Sequence, residues 1–183
     1  MKNINLPKSS SQFQSEGELF IITSFLKQFY PLQKEDNLKE TFTLENASNI
    51  KMQLDLYLKD AKVIGEIYVT ELPFNSGRKR KFQSDILKMI TFEKINKEHY
   101  KKFYFLTADE EKLKTLHGDV SDGSFYKHTR EKSLIGKNTW LNLTLESFGI
   151  ELYYYCIGEL FFEKLKKTRK LQKEGMREKV INK

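Results

Sequence analysis

The stretch 50-IKMQLDLYLKDAKVIGEIYVT-70 decides the reading of this chain. From Ile50 to Leu58 the apolar residues Ile50, Met52, Leu54, Leu56 and Leu58 alternate with Lys51, Gln53, Asp55 and Tyr57, the period-two pattern of a half-buried strand. A second strand is predicted over Val63 to Thr70. Between them Asp60 and Ala61 form a two-residue connection from Lys59 to Lys62, so the strands make a hairpin. Setting Lys59 opposite Lys62 fixes the register, and Asp55 then stands directly across from Glu66, on the same face.

Directly opposed residues on one face have Cβ atoms about 4.5–5.5 Å apart, where two ionised carboxylates repel. A divalent cation is the natural compensation: Mg²⁺ takes hard oxygen ligands and is held by one or two carboxylates, with water and substrate phosphate oxygens completing its shell. The alternative is a surface hairpin in which each acid pairs with a nearby Lys. A one-residue slip would put the two acids on opposite faces.

Outward from the hairpin, Leu19, Ile22, Phe25, Leu26 and Phe29 recur at helical spacing and predict a helix from Ser15, ended by Pro31. After the loop with Pro73, Asn75 and Gly77, a second helix is predicted from about Arg78 to Ile95, with Phe82, Ile86, Met89 and Ile90 on its core stripe. A buried strand over Phe103 to Leu106 and a short helix near Asp109 to Leu116 follow. Gly118 to Lys132 reads as a surface loop, Trp140 to Leu145 as a helix, Leu152 to Tyr155 as an aromatic strand, and a basic helix starts near Glu159. This order predicts a single α/β domain with a mixed central β-sheet flanked by helices. The expected divisions are a flexible N-terminal arm over 1–14, the domain over 15–173 and a basic C-terminal tail over 174–183.

The 183 residues match one ordinary domain. The net charge of +7 favours a polyanionic partner, although much of the excess falls in the segment Lys164 to Lys183. No apolar run is long enough to span a bilayer, the segment MKNINLPKSSSQFQ lacks the features of a secretory signal, and the single Cys156 cannot form an internal disulfide. The expectation is a cytoplasmic protein without a membrane partner. His99, His117 and His128 are too scattered for a zinc site, Cys156 reads as core packing, and the aromatic strands read as core before base-stacking surface.

Asp55, then Glu66-Ile67-Tyr68, then the helical Lys79-Arg80-Lys81-Phe82-Gln83-Ser84-Asp85-Ile86-Leu87-Lys88 resemble the core of the PD-(D/E)XK nuclease superfamily. The resemblance covers about Ser15 to Asp109 and implies a restriction-endonuclease-like fold. It also implies a metal site at Asp55 and Glu66 and a Lys two residues after the second acid. Tyr68 occupies that Lys position. Some branches resembling this one supply the cation from the following helix, where Lys81, Asp85 and Lys88 share a flank. Lys81 is the first candidate, Lys79 and Lys88 the alternates, and the competing reading is a solvated helix face with an intrahelical Lys81–Asp85 pair. The resemblance further implies a first-helix acid at the metal. Glu18 lies in the sector of Ile22, Phe25 and Phe29 and is the candidate, while Ser15 to Glu18 is equally a capping box that would start the helix.

The implied function is metal-dependent hydrolysis of nucleic-acid phosphodiesters, DNA before RNA, with Mg²⁺ or Mn²⁺ as cofactor and Asp55, Glu66 and Lys81 as catalytic residues. Arg78, Lys79, Arg80, Lys88, Lys127, Arg130 and Lys132 would hold the phosphate backbone. A homodimer stays open. Two other classes compete: a catalytically degenerate nucleic-acid-binding module, favoured by Tyr68, and a structural or assembly protein that docks through its basic C-terminal helix.

Overall fold

Strand β4, Val63–Tyr68, is buried along both faces apart from Tyr68 at its end, which places it inside the sheet and sets the layers around it. The computed structural model describes residues 10–32, 41–43, 51–70, 72, 74–137, 139–164, 166, 167 and 170. Its elements in order are α1 (Ser10–Phe29), β1 (Thr41–Thr43), β2 (Lys51–Gln53), β3 (Leu56–Leu58), β4, α2 (Ser76–Asn96), β5 (Lys101–Ala108), α3 (Glu110–His117), β6 (Phe125–Lys127), α4 (Trp140–Ser147) and β7 (Ile150–Cys156). Residues 159–164 are helical. The expected tail over 174–183 and positions 1–9 of the expected arm lie outside the described residues.

Five strands form a mixed sheet in the order β3-β4-β5-β7-β6, with β4, β5 and β7 parallel and the two outer strands antiparallel to their neighbours. Parallel neighbours need a crossover, and α2 supplies it between β4 and β5. The expected α/β sheet with flanking helices is what the structure shows. Alternate residues of β4 part to two cores. Ile64 joins Phe82, Ile86, Met89 and Phe92 of α2, Leu113 of α3 and Leu141 and Leu145 of α4. Val63 and Ile67 join Ile21, Ile22, Phe25 and Leu26 of α1 on the other face.

The hairpin register is the predicted one: Leu58 faces Val63, Tyr57 faces Ile64 and Leu56 faces Gly65. Lys62 N donates to the Lys59 carbonyl at 3.1 Å and closes the turn, with Lys62 in the left-handed region at φ 50°. Gly65 is required by a close approach, because a Cβ there would lie 3.1 Å from the Phe103 carbonyl oxygen and 3.3 Å from Leu56.

Several expectations are corrected. The strand expected from Ile50 to Leu58 is broken at Leu54–Asp55: β2 pairs with β1 in a separate two-stranded sheet, and only β3 joins β4. Helix α1 begins at Ser10, so residues 10–14 are helical and Ser15 to Glu18 lies within the helix instead of capping it. Its large apolar residues buried in the core are Ile21, Ile22, Phe25 and Leu26, whereas Leu19 and Phe29 of the expected stripe are exposed. The stretch read as a surface loop contains β6, an edge strand paired with β7. Helix α2 keeps its predicted span within two residues, with the Asn75 side chain accepting from Arg78 N as its N-cap. No described helix is long and apolar enough to cross a membrane.

Candidate metal and phosphate site

Glu66 points from β4 toward α2, and its side chain is 0% exposed. Lys88 Nζ of α2 lies 2.7 Å from Oε1 and also donates a hydrogen bond to the Gln53 carbonyl at 3.0 Å. The other carboxylate oxygen, Oε2, has no hydrogen-bond partner among the described residues. An ionised carboxylate left so in the interior is costly. Burial, then repulsion from Asp55, with Lys88 opposing and Asp85 adding, pushes the Glu66 carboxyl up to about 9.

Asp55 lies one residue before β3, where the pairing with β4 has ended at Leu56 and Gly65, and it is close enough to Glu66 for its charge to act on that carboxyl. Its Oδ2 accepts a hydrogen bond from Ile67 N at 2.9 Å. The side chain thus supplies the acceptor where the neighbouring strand has ended, which explains the bend: Asp55 takes over a ladder bond so that the chain can turn away toward β2. Leu54 accordingly packs with the α2-side core, while Leu56 packs with the α1-side core.

Asp85, 2% exposed, is the hub of the α2 side. Lys81 Nζ donates to both its oxygens at 2.6 Å, Tyr104 OH donates to Oδ2 at 2.8 Å, and Lys88 Nζ lies 3.8 Å from Oδ1. Tyr104 stands beside Glu66 in the β4–β5 register. Burial alone would lower Lys81, but the hydrogen bonds and charge of Asp85, helped by Glu66 and Asp55, raise it above its ordinary value, so the ammonium is held charged. Its Nζ lies 5.7 Å from the centroid of the Tyr68 ring. The helix cation therefore sits against the residue that occupies the strand-lysine position.

The sequence reading puts Asp55 and Glu66 near the N-terminal end of the helix beginning around Arg78, and the structure corrects this. Glu66 meets Asp85 and Lys88 at the middle of α2, and Lys81 approaches from one turn before Asp85. Lys88, expected among phosphate-binding residues and as an alternate for the helix cation, is the lysine against Glu66. Glu18 is buried as predicted, but it belongs to α1, whose buried residues pack on the opposite sheet face, and its Oε1 accepts from Gln14 Nε2 at 2.9 Å. It is not part of the cluster around Glu66.

The phosphate-contacting candidates divide. Lys79 and Arg80 are exposed on the first turns of α2, and Arg78 is half-buried there. Lys127 pairs with Glu151 at 2.6 Å, and Arg130 makes a two-pronged contact with Glu146. Lys132 is exposed. Sequence reasoning missed Tyr104 because it reads as one more core aromatic; only the α2–β5 packing puts its hydroxyl on Asp85. The three histidines form no common site: His128 Nδ1 meets Tyr154 OH at 2.8 Å, His117 packs on Tyr126, and His99 lies near Glu93. Cys156 is buried, and burial pushes its thiol up to about 11, as expected of core packing.

Among the described residues no group of three or more His, Cys, Asp or Glu side chains forms a metal-ligand cluster. The unpartnered oxygen of buried Glu66 beside Asp55 nevertheless fits a hard divalent cation of the kind that uses one or two carboxylates. Compared with protein-family models, curated proteins and solved structures, the chain matches none.

Proposed function

We propose that this chain is a metal-dependent nuclease of restriction-endonuclease-like type, acting on nucleic-acid phosphodiesters and on DNA before RNA. Buried Glu66 carries the reading, with Oε2 unpartnered among the described residues and Asp55 raising its pKa from beside it. Buried acids perturbed by burial and a second carboxylate cluster at functional sites. Asp55 and Glu66 would hold Mg²⁺ or Mn²⁺. The chemistry such an ion supplies when bound is Lewis-acid polarisation of a phosphodiester and activation of water.

The chain's own residues supply the rest. Lys81, held charged by Asp85, is placed to stabilise negative charge that grows on the phosphate during reaction. Tyr104 restrains Asp85 from β5 and so fixes the geometry of Lys81. Lys79 and Arg80 are exposed on the first turns of α2, where phosphate contacts would give affinity without reading sequence. The deciding experiment is a cleavage assay over single- and double-stranded DNA and RNA, with Mn²⁺ or Mg²⁺ against chelator. Chelator-sensitive cleavage that disappears in Asp55→Asn and Glu66→Gln is the expected result.

A second reading, a nucleic-acid-binding module of the same fold without catalysis, is favoured by one observation: both site lysines are engaged by internal carboxylates, Lys81 by Asp85 and Lys88 by Glu66. Salt-dependent binding without cleavage under any metal would select it.

A further inference from the structure

Lys88 is poorly accounted for as a phosphate contact. Its ammonium is turned inward, among Glu66 Oε1 at 2.7 Å, the Gln53 carbonyl oxygen at 3.0 Å and Asp85 Oδ1 at 3.8 Å. Three oxygens from three elements, the end of β2, β4 and α2, thus surround one positive charge. The contact with Glu66 Oε1 is a close ion pair, and Glu66 Oε2 has no hydrogen-bond partner among the described residues. An ammonium carries three N–H donors, so Lys88 can hold the Glu66 oxygen and the Gln53 carbonyl together. The side chain remains 26% exposed, which gives the flexible stem a way out to solvent.

We infer that Lys88 is the resident counter-cation of this site: its ammonium holds the Glu66 and Gln53 oxygens in the metal-free protein, and a divalent cation must displace it to bind. The inference rests on the metal-site reading of Asp55 and Glu66, and adds that the site is self-occupied until metal enters. The physical logic is competition for the same oxygens. An ammonium and a divalent cation cannot both occupy Glu66 Oε1 at contact distance, so the apparent metal affinity is reduced by the fraction of time that Lys88 is withdrawn. Displacement also turns the lysine out to solvent. Whenever Glu66 is ionised without metal, the ammonium spares it an unpaired charge.

Two measurements test this on the full chain. Calorimetric titration of Mn²⁺ into wild type and Lys88→Met is expected to show tighter binding in the variant, by about tenfold if Lys88 is docked nine-tenths of the time. Independently of any variant, acylation of amines in the wild type, read residue by residue by mass spectrometry, is expected to show Lys88 becoming more reactive on addition of Mn²⁺. Equal or weaker Mn²⁺ binding by Lys88→Met, or Lys88 reactivity unchanged at saturating Mn²⁺, overturns the exchange while leaving the metal site standing. Absence of Mn²⁺ binding in both proteins removes the metal-site reading and the exchange with it. Glu66→Gln, expected to abolish binding in either background, identifies the heat as coming from this site.

Discussion

Carrying Glu66 wholly into the interior sets its carboxyl at about 9 against an ordinary value of 4.5, and the shift has a sign that can be tested. Between those values the folded protein holds a proton that the unfolded chain has released, so metal-free stability falls as pH rises through that window. Glu66→Gln should flatten the dependence and, near pH 9, raise stability by about 1–3 kcal/mol, the scale of an unsatisfied buried polar group. Urea unfolding at pH 6 and pH 9 reads both; a steeper pH dependence in the variant would refute the assignment. Metal binding should strengthen over the same pH range, since the proton must leave first. At Lys81 the prediction concerns rate. Lys81→Ala should lower turnover by about 100-fold with little change in metal affinity, because it acts on charge developing in the transition state. Asp85→Asn should lower turnover less, by about tenfold, since it acts by positioning Lys81. Tyr68→Lys should partly restore Lys81→Ala, the two cations approaching the same space from strand and helix. A Lys81→Ala protein with full turnover would leave the ammonium with no more than its ion pair to Asp85.

At the scale of elements, the β3–β4 hairpin is held in register from both ends. The Lys59–Lys62 turn sets the pairing, and the Asp55 side chain on Ile67 N terminates it. Gly65 lets Leu56 and the Phe103 carbonyl close in on β4. Gly65→Ala should therefore lower stability by about 1–3 kcal/mol, the usual cost of overpacking, since the backbone oxygen has little room to yield; denaturant midpoints measure it. The same hairpin marks how far the amino-acid pattern alone reaches. A tight turn fixes register by arithmetic, so the pairing from Leu58–Val63 to Leu56–Gly65 is legible in the sequence, and with it the nearness of Asp55 to Glu66. The break at Leu54–Asp55 is not, because the apolar alternation runs on unbroken through Met52, Leu54 and Leu56 although Leu54 and Leu56 enter opposite cores. Periodicity cannot register a side chain that replaces a ladder bond. Strand β6 is hidden for a different reason: Phe125 and Tyr126 sit among turn residues and become a strand only through pairing with Tyr155 and Tyr154 far along the chain. In α1 four consecutive apolar residues, Leu19 to Ile22, allow more than one stripe, and packing selects Ile21 and Ile22. The cluster of Asp85, Lys81 and Lys88 is legible as a flank of α2, but its inward turn onto Glu66 and Tyr104 depends on the α2–sheet contact, which no local pattern encodes.

For the molecule as a whole, an excess of +7 is not a binding surface until its cations are sorted by what they already hold. Lys127 and Arg130 face Glu151 and Glu146, so much of their charge is spent within the protein. Lys79 and Arg80 stand exposed at the start of α2, immediately before Lys81 in the chain. Nucleic-acid affinity is accordingly expected to fall with rising salt, with a slope set by the number of phosphates neutralised, each contributing about 0.9 on a double-logarithmic plot for duplex DNA. Lys79→Ala and Arg80→Ala should each weaken binding at low salt and reduce that slope by about 1. Lys127→Ala and Arg130→Ala should leave it nearly unchanged, because removing either releases a carboxylate without vacating a phosphate contact. Fluorescence anisotropy with a labelled duplex at two or more salt concentrations separates the groups. Equal effects from all four variants would place the interface across β6 and α4 as well as α2. Absence of binding at low salt would remove the nuclease and the binding module together, and leave the buried acid and its lysines as the internal charge network of a protein with another partner.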